Sequence, residues 1–248
     1  MIHILFLIFG FLAGSFANVC ILRLPKNEDV FLKRSACQHC SKQIEWYLNI
    51  PIFSYLYLSG KSKCCGKKLN KQYPIIELST GILFLINSLL FNLSQSITLS
   101  LIFFVVLLII VIDFKERVIF DFMNYFLILS GIIVSIIMPD LNPLNISTLN
   151  AMITGIIGFS LFFALRYLFQ KKRNVEALGM GDVYLIAGLG VWLGFEKFLY
   201  ILSISSFLGI FYYLLVGKKE ENFEIPYGSA LGISFILIFY FTKKNNGK

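Results

Sequence analysis

Eight apolar runs, each close to the length that crosses a lipid bilayer, constrain this chain more than any other feature of its sequence. Crossing the hydrocarbon core takes about 20 mostly apolar residues in an α-helix. Because a helix satisfies its own backbone hydrogen bonds inside lipid, the runs predict an all-α polytopic membrane protein with about eight transmembrane helices. The runs cover residues 1–22, 76–92, 97–112, 122–138, 148–169, 183–195, 198–216 and 229–242.

The composition excludes the other broad classes of protein. Hydrophobic residues make up 57% of the 248 residues and charged residues 15%, against about 45–50% and about 25% in soluble domains. The 26 Phe and 12 Tyr residues also exclude a disordered chain. The net charge of +8 would suggest nucleic acid as the partner of a soluble protein. In a membrane protein it reflects orientation instead, so we expect the lipid bilayer as a partner and no nucleic acid.

The distribution of Lys and Arg predicts the orientation in the membrane. If the N-terminus lies outside and all eight runs span, 18 of the 22 Lys and Arg residues fall in segments that face the cytoplasm, with Arg166 counted at the cytoplasmic end of the run 148–169. This is the bias expected of a multi-pass protein of the cell membrane. The run at 1–22 is expected to be an anchor helix and not a cleaved signal peptide, because no positive charge precedes it.

A polar insert separates the first apolar run from the others and holds four of the five cysteines. We therefore divide the chain into transmembrane helix 1 (1–22), a cytoplasmic insert with a knuckle-like cysteine pattern (23–75) and a membrane core (76–248). Since the insert is expected in the cytoplasm, disulfides are disfavoured there.

The spacing of these cysteines resembles a zinc site but departs from the regular pattern. Cys37 and Cys40 form a C-x-x-C pair, and a second pair some 20–25 residues later would complete a tetrahedral site. Cys64 and Cys65 are adjacent, and Ser62 stands where regular spacing needs a cysteine. Two interpretations stay open. The insert is either a structural zinc knuckle held by Cys37, Cys40 and Cys65, with the adjacent Cys64 as the candidate fourth ligand, or a knuckle that folds without metal and keeps free thiols.

Two acids at the cytoplasmic ends of spans are the candidate catalytic groups. Asp113 ends the most hydrophobic run, and Asp182 follows Gly179-Met180-Gly181, whose glycines permit positive φ and close backbone approach. Taken singly, Asp113 can be a helix-end charge at the headgroup level, and Asp182 can cap a helix that starts at residue 183. Two carboxylates brought together share a proton, so that one acts as base and the other as acid. Such a pair can activate water against a peptide carbonyl.

Six motifs occur in order along nearly the whole chain. They are GSFANV at 14–19 followed by RLP at 23–25, the C-x-x-C insert, NIP at 49–51 with YPIIEL at 73–78, ID at 112–113 with a second acid eight residues later, GMGD at 179–182, and IPYG at 225–228. In this order they resemble the type IV prepilin peptidases, leader peptidases of the membrane aspartic GxGD group.

The resemblance implies an aspartic endopeptidase that cuts the positively charged leader from type IV prepilin and pseudopilin precursors at the cytoplasmic membrane face. It implies Asp113 and Asp182 as the catalytic pair, with Gly179, Gly181 and Asp121 as supporting residues of the active site. This peptidase chemistry requires no cofactor.

The resemblance also implies a second activity. Many members of the family methylate the new N-terminal amine with S-adenosylmethionine, an activity associated with the N-terminal region. Glu77, at the start of the second apolar run, is the candidate residue for it. Because Ser62 replaces a cysteine, the pattern leaves both metal binding and methylation to be tested.

Two other functions compete with the peptidase. A proton-coupled or ion transporter could use the two acids as its cation site, and it would be expected to carry more acids or broken helices at mid-bilayer. An inactive scaffold subunit of a pilus-assembly, competence or secretion machine would not need an intact pair of acids.

Overall fold

The computed structural model describes residues 1–173, 178–217 and 224–246, and this part of the chain is helical without any strand. The all-α prediction is therefore confirmed. The helices are α1 (Ile2–Arg23), α2 (Phe53–Tyr57), α3 (Gln72–Leu90), α4 (Leu93–Glu116), α5 (Asp121–Ile137), α6 (Thr148–Arg173), α7 (Met180–Leu215) and α8 (Tyr227–Asn246).

Five of the described helices, α1, α3, α4, α6 and α7, are long and apolar enough to cross a membrane. Helices α5 and α8 are apolar but shorter. Many large apolar side chains on these helices are exposed, as expected of surfaces that face lipid. The protein is therefore a multi-pass membrane protein.

The chain forms two compact units, residues 1–104 and 105–248. The three-part division drawn from the sequence stays a prediction. In the first unit, α1 packs closely on α3 because both carry small residues at the contact. A Cβ on Gly10 would lie 2.7 Å from the Cα of Gly81, and one on Gly14 would lie 2.5 Å from the Cα of Glu77. Close approach through small residues is the usual way in which membrane helices pack.

Helix α7 of the second unit is broken at Gly194 and folds back on itself. A straight helix of its 36 residues would be about 54 Å long, far more than a bilayer core of about 30 Å. Gly194 has φ 69° and ψ 169°, which only glycine adopts readily. A Cβ on Gly190 would lie 3.2 Å from the ring of Phe198, eight residues later. The predicted spans 183–195 and 198–216 are thus the two halves of α7.

Both ends of α7 lie beside the same end of α4, which confirms the reversal. Near its start, Asp182 interacts electrostatically with Asp113. Near its end, the ring of Tyr212 lies 5.8 Å from that of Phe114. With the halves of α7 counted separately, the described residues hold eight apolar helical segments, as the sequence predicts.

Two asparagines satisfy the backbone groups that the break in α7 leaves unpaired. Asn142 donates to the carbonyl of Trp192 (3.1 Å), and Asn150 accepts the N–H of Phe195 (3.0 Å). Trp192 is fully buried in the protein, and buried backbone groups need such partners. The break is therefore a built feature of the fold.

Replacing Gly194 with Ala should destabilise the protein by about 1–3 kcal/mol, because alanine disfavours this backbone conformation. Its Cβ would also lie 3.1 Å from Ile146. Gly209→Ala is the control, because Gly209 is helical and its Cβ would make only ordinary contacts, at 3.5 Å and beyond. Thermal unfolding in detergent measures both variants. Equal midpoints for the two would contradict the role given to Gly194.

Candidate active site

Asp113 is a buried carboxylate near the C-terminal end of α4. Asp113 is only 5% exposed, so its carboxylate is not a solvated charge at the headgroup level. One oxygen, Oδ2, accepts two hydrogen bonds from Ser229: one from the backbone N–H at 2.6 Å and one from the hydroxyl at 2.9 Å. Ser229 belongs to the first turn of α8, where backbone N–H groups lack helical partners and favour an anion.

Asp182 lies in the first turn of α7, but it does not cap a helix that starts at 183. The helix begins at Met180, and Gly179 is its N-cap residue. The carboxylate of Asp182 accepts the N–H of Gly179, which is half of a capping box. The prediction that Asp182 caps a helix starting at residue 183 is therefore wrong, because the two residues before Asp182 are already helical.

The structure brings Asp113 and Asp182 close enough to interact electrostatically. Within the described residues, the Oδ1 atom of Asp182 is buried and has no hydrogen-bond partner. A buried oxygen without a partner is costly unless it carries or receives a proton. This oxygen is therefore available to a shared proton, a water molecule or a substrate.

Glycines let the backbone close around the two acids. A Cβ on Gly181 would lie 3.0 Å from the Cβ of Ile119, and one on Gly228 would lie 3.2 Å from the Cγ of Asp113. Neither Gly179 nor Gly181 has a positive φ. The GMGD motif therefore uses the close approach that glycine permits at Gly181 and makes no use of left-handed backbone.

Helix α5 contributes a residue that sequence reasoning missed. Asp121, the predicted supporting acid, is exposed at the first residue of α5. One turn later, Asn124 is fully buried and donates to the carbonyl of Gly181 at 3.0 Å. A polar residue inside an apolar run was the available signal. Ser229 was also missed, although it directly follows the IPYG motif.

The four cysteines of the insert form one cluster. The Sγ atoms of Cys37, Cys40, Cys64 and Cys65 all lie within 4.8 Å of one another. The Cys37–Cys65 separation is 3.8 Å and the Cys40–Cys64 separation is 3.0 Å. Four thiolates about 2.3 Å from a zinc ion would be about 3.8 Å apart. The residues present therefore fit a tetrahedral metal ion.

The backbone explains why Ser62 does not prevent this arrangement. In the first knuckle, the N–H of Cys37 donates to the carbonyl five residues later, and its carbonyl accepts the N–H four residues later, both at 2.9 Å. Ser62 makes the same two bonds in the second knuckle, both at 2.8 Å. Ser62 is thus equivalent to Cys37, and Cys65 to Cys40. Cys64 supplies the sulfur that Ser62 lacks.

Hydrogen bonds within the cluster shift the pKa values of two of its thiols in opposite directions. The hydroxyl of Ser62, 3.3 Å from Sγ of Cys37, is the main cause that lowers the pKa of Cys37 to about 5. The hydrogen bond with Cys64 raises the pKa of Cys40 to about 12. The lowered pKa of Cys37 favours its thiolate, which is the form that binds a cation.

A cavity of about 410 Å³ lies in the first unit between α1, α3 and the insert, and Glu77 is among its lining residues. Glu77 is 7% exposed and accepts the N–H of Ile52 (2.7 Å) and the hydroxyl of Ser15. Ile52 has φ 62°, a conformation that β-branched residues rarely adopt. Strained backbone of this kind often occurs at binding sites.

Two models of protein families match the chain, one over most of the first unit and one over most of the second. The Bacterial Peptidase A24 N-terminal domain model matches residues 8–91, and the Type IV leader peptidase family model matches residues 99–214. A prepilin leader peptidase/N-methyltransferase of Vibrio cholerae is 30% identical over 96% of this chain and 96% of its own length. A type 4 prepilin-like proteins leader peptide-processing enzyme of Escherichia coli is 31% identical, over 93% and 91%.

A third relative, the prepilin leader peptidase/N-methyltransferase of Klebsiella pneumoniae, is 32% identical over 79% of this chain and 87% of its own length. No solved structure is significantly similar to the chain. The similarity to these relatives extends across both units and includes the segments that carry Asp113 and Asp182. The chain therefore belongs to the type IV leader peptidase family.

Proposed function

We propose that this protein is a membrane aspartic endopeptidase that removes the positively charged leader from type IV prepilin-like precursors. The observation that carries the proposal is the pair of acids, Asp113 and Asp182, which interact at the end of α4. One oxygen of the pair is buried without a partner among the described residues.

Peptide hydrolysis by such a pair needs one proton between the two acids. The ionised carboxylate takes a proton from water as the water oxygen bonds to the scissile carbonyl carbon. The protonated carboxyl hydrogen-bonds the carbonyl oxygen and then gives its proton to the amine nitrogen as the C–N bond breaks. The chemistry uses the side chains of this chain alone.

The cell membrane and its cytoplasmic face are the proposed location of the reaction. The excess of Lys and Arg in alternate loops supports a cytoplasmic location for the ends of the spans that carry Asp113 and Asp182. The apolar N-terminal helix of a precursor would lie in the bilayer against the protein, and its basic leader would stay in the cytoplasm.

For the cysteine cluster we propose a structural zinc ion held by Cys37, Cys40, Cys64 and Cys65. Zinc would supply a cross-link between the two knuckles of an insert that has little core of its own. The four sulfurs already converge, so the thiols need little movement to bind.

A second activity, N-methylation of the new N-terminus, is favoured by the cavity of the first unit. Its volume suits a small-molecule cofactor. S-adenosylmethionine would supply an electrophilic methyl group there. Glu77 provides a buried carboxylate that can hold the α-amine and accept its proton.

Replacing Glu77 with Gln should reduce methylation at least tenfold and leave leader cleavage intact, because the amide cannot accept the proton of the amine. Glu45→Gln is the control. Glu45 is an exposed acid of the insert whose ion pair with Lys63 contributes little to stability. Intact mass spectrometry of processed precursor reports both activities. Methylation that persists in Glu77→Gln would contradict this role.

The peptidase proposal is tested with the purified full chain in detergent and a precursor that has a basic leader and an apolar helix. We expect a single cut at the end of the leader. No cleavage, together with proton flux in liposomes that contain the protein, would favour the transporter. No cleavage and no flux would favour an inactive scaffold subunit.

A further inference from the structure

Ser229 contacts Asp113 directly but has no role in the peptide hydrolysis described above. It is buried, and both its N–H and its hydroxyl point to Oδ2 of Asp113, at 2.6 Å and 2.9 Å. We propose that Ser229 is a positioning residue that keeps Asp113 ionised, so that Asp113 is the base and Asp182 carries the shared proton. This inference rests on the proposed peptidase function.

The hydrogen bonds of the two acids are asymmetric. Asp113 receives two donors on one oxygen, as suits an ionised carboxylate. Asp182 receives only the N–H of Gly179, and its Oδ1 is buried without a partner among the described residues. A protonated carboxyl has a donor of its own, so this oxygen is the natural holder of the proton.

The charges around Asp113 agree with this assignment. The groups that act on it are Arg117 from the position that directly follows α4, Asp182 from α7 and the non-titrating Ser229 from α8. Arg117, which donates to the backbone carbonyl of Asp113 at 3.0 Å, favours a negative charge there. Asp182 would oppose that charge only if it were also ionised, and its proton removes the repulsion.

The hydroxyl of Ser229 has a second acceptor, the carbonyl of Ile110 at 2.8 Å. Its single hydrogen can serve only one acceptor at a time. An ionised Asp113 is the stronger acceptor, so the hydroxyl donates to it in the resting state. When Asp113 becomes neutral, the hydroxyl can turn to Ile110. The hydroxyl therefore stabilises the ionised form selectively.

With Asp113 as the base and Asp182 as the acid, each carboxyl group has its own step in the reaction. A proton passes from water to Oδ1 of Asp113, since Oδ2 holds the N–H of Ser229. The water oxygen bonds to the carbonyl carbon, and Asp182 gives its proton to the leaving nitrogen as the C–N bond breaks. Afterwards the proton on Asp113 returns to Asp182, which restores the resting pair.

The test is the pH dependence of kcat/KM for precursor cleavage by the purified full chain. In Ser229→Ala the acidic limb should move to higher pH by about one unit, because one hydrogen bond to a charged group is lost. At the optimum the loss of rate should be smaller than on the acidic side, since the backbone N–H of residue 229 still donates to Asp113. Ser229→Thr should return the limb to its wild-type position.

Ser234→Ala is the matched control. Ser234 lies on the same helix, is fully buried, and donates to the carbonyl of Ala230 at 2.7 Å, with no bond to Asp113. An acidic limb in Ser229→Ala that coincides with that of Ser234→Ala would overturn the inference. A uniform loss of rate at every pH would overturn it as well, because that indicates a merely structural role.

Two further variants keep the test decisive. If Ser229→Ala does not accumulate, Ser229→Cys, with a weaker donor, should shift the limb in the same direction, and an unshifted limb overturns the inference. Asp113→Asn separates the two proposals. An inactive Asp113→Asn with an unshifted serine variant refutes only the role of Ser229, whereas an active Asp113→Asn refutes the peptidase mechanism itself.

Discussion

Asp113→Asn and Asp182→Asn are each expected to reduce precursor cleavage by about 10³-fold or more, the loss typical when a member of a cooperating acid–base pair is removed. An amide at position 113 cannot take a proton from water, and an amide at 182 cannot supply one to the leaving amine. Asparagine has nearly the size of aspartate, so both variants should still insert and fold. The ratio of unprocessed to processed precursor in cells measures the loss.

Asp140→Asn is the control for this prediction, and Asp121→Asn is a separate test. Both acids are exposed in the described structure, outside the pair. Asp140→Asn should process precursor at the wild-type rate. Because Asp121 begins α5, whose Asn124 bonds Gly181, Asp121→Asn tests whether that helix start supports the site. Normal processing in either Asp113→Asn or Asp182→Asn would contradict the account.

The second large effect is expected in the metal content of the insert. Cys64→Ala should lower the affinity for zinc about 100- to 1,000-fold, if an apparent binding energy of about 10–16 kcal/mol is shared by four ligands. Because Ser62 has the backbone position of a ligand, the double variant Ser62→Cys with Cys64→Ala should recover tight binding through a regular C-x-x-C pair. Zinc per chain after purification and competition with a chelator measure both effects.

Cys20→Ala is the control for the metal prediction, since Cys20 is buried in α1 outside the cluster. It should leave the zinc content unchanged. Zinc retained by Cys64→Ala would show that Cys64 is not a ligand. Failure of the double variant to recover zinc would contradict the equivalence of Ser62 and Cys37.

Hydrophobic runs were enough to predict the helical membrane fold, because a bilayer permits few other structures. Helix bounds agree within a few residues; the run at 97–112, for example, lies inside α4 (Leu93–Glu116). The reversal of α7 was predicted as two spans, but its cause was not. A glycine with positive φ and two asparagine side chains from other segments make the break, and such long-range partners leave no periodic signal in a sequence.

The candidate site was predicted in part. Asp113 and Asp182 could be identified because each interrupts an apolar context at the end of a span. The exposure of Asp121 depends on how α5 begins, which sequence does not specify. Ser229 acts through its backbone N–H as much as through its side chain, and no residue pattern reports a backbone donor. The fit of Cys64 also depended on a backbone register that spacing alone does not reveal.

The central claim is that Asp113 and Asp182 act as one unit on one peptide bond. The most direct measurement is the cleavage rate of a purified precursor by the wild type, the two Asp→Asn variants and the double variant. Because removal of either acid disables the pair, we predict that all three variants cleave at the same background rate. A single variant that cleaves above the rate of the double variant would show two independent groups and contradict the account.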